Sequence, residues 1–168
     1  MTTRVILSTG IGRLHLVQSA VWLCRLGVEM TLIQGWVPVL PESWVAWIGR
    51  RIGHPKLAFG MRARRPPELK GKIKTCAPAE FFYQALIRLA WHGVGEQGRA
   101  ARLSWRFFGW QSAHYLRHAD VFHVRSGAGQ GGAIRAARRR GMRVVVDHSI
   151  AHPCFMEQHL KDEYQRNG

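Results

Sequence analysis

The sequence predicts an α/β protein with an open, mainly parallel sheet and helices on both faces of that sheet. Within the first 34 residues, an apolar run, a glycine turn, a helical pattern and a second apolar run follow one another, which indicates a βαβ unit. The order strand, glycine-rich loop, helix, strand recurs over residues 121–147. Parallel strands joined by such crossovers bury both faces of their sheet under helices.

Glycines delimit the first βαβ unit. Residues 4–7 form the predicted first strand, which leads into a turn containing Gly10 and Gly12. A helix follows, because four side chains recur at helical spacing: Leu14, Val17, Val21 and Cys24. Gly27 suits the left-handed position after a helix end, and residues 28–34 then resume a β-rich apolar run.

The middle of the chain predicts helices joined by a basic connection. Residues 41–49 favour a short helix with tryptophans on one side. Residues 50–74 contain Pro, Gly and nine basic residues, which is typical of a connecting segment. Helical stripes of apolar side chains follow over residues 81–90 and 100–117.

The last third repeats the pattern of the first. Val121–Arg125 is a predicted strand, residues 127–132 a glycine-rich turn, residues 133–140 a helix that Gly141 ends, and Arg143–Asp147 another strand. All 168 residues, 46% of them hydrophobic, are therefore interpreted as a single Rossmann-like domain with its own core.

The charge is strongly basic and unevenly placed. The chain has 25 basic and 10 acidic residues, a formal net charge of +15, and the excess concentrates within residues 50–74 and 135–143. Such a field favours an anionic partner: nucleic acid, a phospholipid surface or a phosphorylated small molecule. Because 20 of the 25 basic residues are Arg, compositional bias with a merely solvated basic face is the competing interpretation.

Sequence patterns for membrane insertion, export, disulfides and metals are missing. No run approaches the ~20 apolar residues of a membrane-spanning helix, and the N-terminus lacks the apolar core of a secretory signal. A cytoplasmic location is therefore expected. The three cysteines show no paired spacing, so neither a disulfide framework nor a zinc site is predicted, and no cofactor is expected.

The turn after the first strand is the first candidate binding site. Gly10 and Gly12 would place backbone N–H groups at the carboxyl edge of the sheet, where ligands of α/β proteins bind. The dinucleotide fingerprint is broken, since His15 replaces its third glycine and no acidic residue follows the second strand. A nicotinamide dehydrogenase is therefore not favoured. The competing interpretation is that both glycines only permit a sharp turn.

The loop after Val121–Arg125 is the second candidate. Arg125, Ser126 and Gly127 offer a cation, a hydroxyl and a backbone that a ligand can approach closely. These groups suit a hydroxylated or phosphorylated ligand. Alternatively, the loop is a plain connection in which Arg125 pairs with a carboxylate.

The segment after the last strand is the third candidate. His148, Ser149 and His152 offer imidazoles and a hydroxyl that donate hydrogen bonds or relay protons near neutral pH, and His148 is favoured as the catalytic residue. Purely structural histidines are the main alternative. A metal site that adds Cys154 and His159 fits no common zinc spacing.

Taken in order, these motifs resemble the N-terminal half of family 4 glycosyltransferases of GT-B fold. The resemblance lies in residues 8–16, 35–38, 50–67, 121–127 and 144–153. It implies a retaining enzyme that moves a sugar from a nucleotide sugar to an acceptor hydroxyl. The segment from Val144 to Pro153 carries the most specific part of the likeness.

The resemblance assigns roles to the candidate residues. Gly10 and Gly12 would lie beside the donor phosphates, His148 would reach toward the reacting sugar, and Arg125 and Ser126 would shape the acceptor side. The basic, Trp-rich segment 44–74 would contact an anionic membrane at the inner face of the cell membrane and meet a glycan or lipid-linked acceptor. A solvated basic face is the alternative for that segment.

The sequence departs from the family in one large respect. The family's donor-binding lobe, with its paired glutamates, has no counterpart within these 168 residues. We therefore expect this chain to be inactive without a donor-binding domain or partner chain, as a fragment, a split half or a remnant. A small basic nucleic-acid-binding protein is the alternative function, which no recognised nucleic-acid motif supports.

Overall fold

A computed structural model describes residues 3–12, 15–37, 41–51, 60, 63–148, 161–162 and 165–166 of the chain. Its strands are β1 (Arg4–Gly10), β2 (Glu29–Gln34), β3 (Ile73–Thr75), β4 (Val121–Arg125) and β5 (Arg143–Asp147). All neighbouring strands pair in parallel, in the spatial order β3-β2-β1-β4-β5. The predicted α/β fold with a parallel, Rossmann-like sheet is confirmed.

The helices connect successive strands. They are α1 (His15–Arg25), α2 (Glu42–Arg51), α3 (Ala77–Trp91), α4 (Gln97–Ala113) and α5 (Ala133–Arg139), with a 3-10 turn at Pro67–Leu69. Each predicted helix is present, with ends that differ by a few residues from the expected ones. None of the described helices is long and apolar enough to cross a bilayer.

Alternating side chains of β1 and β2 build a core on each face of the sheet. Leu7 and Leu32, both fully buried, belong to one cluster, which α1 completes with Val17, Ala20 and Val21. Ile6 and Ile33 belong to the other cluster, together with buried residues of the later helices: Ala79, Phe108, Ala133 and Ala137. Because strand side chains alternate between faces, the prediction of helices on both faces is confirmed.

The basic segment between α2 and β3 is fixed to the sheet by a buried ion pair. The Arg64 guanidinium lies 2.8 Å from one oxygen of Glu80, whose side chain is 6% exposed. The other Glu80 oxygen accepts the Trp36 N–H at 2.5 Å, and Arg64 donates to the Trp36 carbonyl at 2.8 Å. Gln34 adds a bond of 2.6 Å from its amide to the Arg64 carbonyl. One carboxylate thus joins α3, the end of β2 and the basic segment.

The same segment is also attached to α1. Arg25 lies 2.6 Å from the carboxylate of Glu68, and this hydrogen bond lowers the pKa of Glu68. The Lys72 ammonium donates to the Cys24 thiol at 2.9 Å. The chain then enters β3, a strand of three residues that the sequence pattern does not separate from the basic connection.

Replacing Glu80 tests the importance of the buried ion pair. Glu80→Gln leaves the Arg64 charge, which is only 20% exposed, without its carboxylate. We expect a loss of about 2–3 kcal/mol in the free energy of unfolding, measured by urea titration. Glu96→Gln is the matched control, since its ion pair with Arg99 is exposed, and it should cost less than ~0.5 kcal/mol. Equal losses in the two variants would show that the buried pair stabilises the fold no more than the exposed one.

Candidate functional site at the carboxyl edge of the sheet

The carboxyl ends of three adjacent strands bring together the sequence-predicted residues. In the parallel register, Ser8 of β1 faces Val124 of β4, and Arg125 faces Asp147 of β5. The Ser126 N–H donates to the Asp147 carbonyl at 3.0 Å, which joins the two strand ends. The turn after β1 lies beside the end of β4, at the point where the strand order reverses. In open α/β sheets this crevice is the usual ligand site.

A tryptophan from α4 fills the crevice between β1 and β4. Gly10 has φ +83°, and a Cβ at this position would overlap the Trp105 ring. A Cβ at Gly127 would come within 3.0 Å of the same indole. Both glycines therefore make room for Trp105, a residue that the sequence motifs do not single out. The structure therefore gives Gly10 a role in the packing of Trp105. Its place beside a ligand stays a prediction.

Arg125 lies beneath the same indole. Its guanidinium carbon is 5.6 Å from the centre of the Trp105 ring, a cation–π distance, and the residue is 8% exposed. The ring also packs at 6.4 Å from Phe108, in an edge-to-face arrangement. Arg125 is thus a buried cation that packs against Trp105. The Trp105 indole lines the crevice between β1 and β4.

The solvent-facing part of the edge consists of smaller groups. Gly12 has φ +64° and is exposed, and among the described residues beyond its chain neighbours no heavy atom lies within 4 Å of the position that a Cβ would take. Ser126 and Gly127 are half-buried, and His148 is exposed directly after β5. The backbone of Gly12, the hydroxyl of Ser126 and the imidazole of His148 therefore lie on exposed or half-buried residues along adjacent strand ends. These groups can donate hydrogen bonds to a hydroxyl-rich or phosphorylated ligand.

The glycine-rich loop after β4 packs backbone to backbone on α4. A Cβ at Gly131 would overlap the Arg106 carbonyl oxygen, and a Cβ at Gly109 would overlap the Gln130 carbonyl oxygen. Only glycines permit such an approach. The loop therefore holds a fixed position, with Arg125 and Ser126 at its start.

The remaining candidate residues fall outside the part of the chain that the structure describes. Ser149 and His152 lie outside the described residues, as do Cys154 and His159. Within the described ranges, no three His, Cys, Asp or Glu side chains lie close enough together to hold a metal ion. Cys76 is buried, and burial raises the pKa of its thiol to about 12, so it is un-ionised at neutral pH.

Comparisons with protein-family models, with curated proteins and with solved structures find no match to this chain. A functional assignment therefore depends on the groups at the carboxyl edge. Six of the sequence-predicted site residues lie at or directly after the ends of these strands. They are Gly10, Gly12, Arg125, Ser126, Gly127 and His148.

Alanine substitution distinguishes the two glycines of the first turn. Both have positive φ, so each substitution should cost about 1 kcal/mol in unfolding free energy from backbone strain. Gly10→Ala also forces a methyl group into Trp105, and its total cost should reach about 2–4 kcal/mol. Urea unfolding of the two variants measures the difference.

A double variant tests whether contact with Trp105 causes the larger loss of stability expected for Gly10→Ala. If the indole is the obstacle, Trp105→Leu combined with Gly10→Ala should lose less stability than the sum of the two single losses. Strict additivity, or equal losses for Gly10→Ala and Gly12→Ala, would disprove the packing role of Gly10.

Proposed function

We propose that the chain is the acceptor-side lobe of a retaining glycosyltransferase, which moves a sugar from a nucleotide sugar to an acceptor hydroxyl. The observation that supports this proposal is the alignment of Gly12, Ser126 and His148 on one edge, at the ends of adjacent parallel strands. Their donors suit sugar hydroxyls and phosphate oxygens. The ordered resemblance to the N-terminal half of family 4 glycosyltransferases supports the same function.

The proposed roles follow from exposure. His148 is exposed and has no neighbouring strand beyond β5 in the described sheet, so its imidazole can reach a sugar held against the edge. The backbone of Gly12 is open for a close approach by donor phosphates. Ser126 offers its hydroxyl on the acceptor side. Arg125 shapes that side through Trp105, because its own side chain is buried.

The proposed reaction needs a second wall. A departing nucleoside diphosphate carries negative charge that must be stabilised in a dry site, and the edge residues of this lobe are largely neutral donors in contact with solvent. We therefore propose that catalysis requires a donor-binding domain or partner chain, and that this chain alone transfers no sugar.

The acceptor is proposed to be a glycan or lipid-linked molecule met at the inner face of the cell membrane. Trp44 and Trp47 of α2 are 62% and 53% exposed and line a shallow groove of about 320 Å³ with Ser43. Arg51 lies 5.5 Å from the centre of the Trp47 ring. Exposed tryptophans beside arginines suit the interface of an anionic membrane.

Replacing His148 tests its catalytic role. The chain is fused to the donor-binding lobe of a family 4 glycosyltransferase, and transfer from labelled nucleotide sugars to glycan and lipid-linked acceptors is measured. His148→Ala should reduce the rate by about 10²-fold or more, because the imidazole contacts the reacting sugar. His92→Ala, which removes an exposed imidazole at the end of α3, should leave the rate unchanged.

Two results would contradict the proposal. Equal rates for the wild-type fusion and His148→Ala would remove the role of that residue. If the fusion transfers no sugar, amide NMR spectra of the chain titrated with nucleotide sugars and acceptors provide a second test. Unchanged resonances at Gly12, Ser126 and His148 would then exclude ligand binding at this edge.

A nucleic-acid-binding protein is the second candidate, and the net charge of +15 favours it. Trp22 is 60% exposed with Arg25 5.3 Å from its ring centre, a pair suited to stacking on an unpaired base. This function predicts binding of single-stranded DNA with an affinity that falls steeply with salt and is reduced by Trp22→Ala. Binding measurements at several salt concentrations check it, and an absence of binding at low salt would exclude it.

A further inference from the structure

A basic groove lies beside the glycine-rich loop, on the side of α5 that faces away from the sheet. Its volume is about 580 Å³, and it is lined by Gly129, Gly132, Ile134, Arg135, Arg138 and Arg139. Ala133 and Ala137 of the same helix are fully buried against the sheet. The three arginines stand at positions i, i+3 and i+4, which places their side chains on one face of the helix.

The three arginines of the groove differ from several other arginines of the protein in having no carboxylate partner among the described residues. Arg4, Arg25, Arg64 and Arg99 each pair with a carboxylate. Among the described residues, the side chains of Arg135, Arg138 and Arg139 form no hydrogen bond or ion pair, and no acidic residue lines the groove. Like charges at these helical spacings repel each other. A bound anion would reverse that repulsion.

The floor of the groove is apolar, and its backbone is exposed at Gly132. Gly129 is buried, with the Ile134 side chain folded over it, whereas Gly132 has φ +98° and none of the described residues beyond its chain neighbours comes near the position of a Cβ there. The groove thus combines an apolar floor, one exposed glycine and three guanidinium groups. Guanidinium groups bind phosphate oxygens in pairs, with charge-assisted hydrogen bonds.

We infer that this groove binds a small ligand that carries a diphosphate group. From Arg135 to Arg139 the helix rises only about 6 Å, which matches two linked phosphoryl groups. A nucleic-acid backbone engages basic groups along a longer track. The groove is separate from the proposed sugar-transfer edge, since it uses neither Gly12 nor His148, and the two inferences can therefore fail independently.

Calorimetric titration of the full chain with inorganic pyrophosphate and with uridine diphosphate tests the inference. The triple variant R135Q/R138Q/R139Q should weaken the binding of both ligands by at least about tenfold, because it removes the three guanidinium groups that the described part of the groove presents. Inorganic phosphate should bind more weakly than pyrophosphate, because it offers one phosphoryl group. Circular dichroism confirms that the variant is folded.

A matched variant distinguishes binding in the groove from a general effect of the positive charge. R88Q/R99Q/R102Q removes the same charge from exposed positions of α3 and α4 and should change the affinity by less than about twofold. Equal weakening in the two triple variants would overturn the inference, and so would wild-type binding in the groove variant or no binding of either diphosphate. Groove-dependent binding of a short DNA duplex that exceeds the binding of pyrophosphate would overturn it in favour of nucleic acid.

Discussion

The backbone contact between α4 and the loop after β4 determines how the carboxyl edge of the sheet is arranged. Gly109 and Gly131 bring the two backbones closer than any side chain would allow. This approach places Trp105 in the crevice between β1 and β4, where the indole covers Gly10 and Arg125. A larger residue at either glycine would separate the helix from the loop and withdraw the indole. The crevice, the loop and the groove beside α5 therefore depend on one packing constraint.

Most of the strands, and the carboxyl edge at which they end, could be predicted from sequence because their causes are local. Runs such as Val121–Arg125 and Arg143–Asp147 are short and largely apolar, a glycine turn follows the first and precedes the second, and parallel strands necessarily end at a common edge. β3 could not be recognised, since two of its three residues, Lys74 and Thr75, are polar and exposed. Its position depends instead on pairing with β2. Trp105 could not be singled out for a similar reason, because its partners are distant in sequence and meet it only in the folded chain.

The basic side chains lie in two different kinds of surroundings. At the basic segment before β3, Glu80 of α3 binds Arg64 of the segment, and Glu68 of the segment binds Arg25 of α1, so that both ion pairs attach the segment to the domain. These two arginines help to hold the fold together. On α5, charge is concentrated on one helical face with no acidic side chain among the described lining residues, although repulsion makes this arrangement unfavourable. The net charge alone therefore does not indicate where an anion binds. Whether each arginine already has a carboxylate partner is the more informative observation.

Exposure divides the carboxyl edge into a buried part that holds its shape and an exposed part that can bind ligand. Arg125 is buried against an aromatic face, so its charge supports Trp105 more than it attracts a distant anion. Gly12 and His148 are exposed and Ser126 is half-buried, so hydrogen bonds from these residues to a ligand compete with hydration and contribute little by themselves. Under the proposed function, covering the edge with a donor-binding lobe would exclude that water and strengthen each of these hydrogen bonds. The same lobe would have to supply cations for the departing diphosphate, because the buried guanidinium of Arg125 is directed toward an indole. If the proposed function is correct, the place of Arg125 beneath the indole is the reason that this edge needs a second wall.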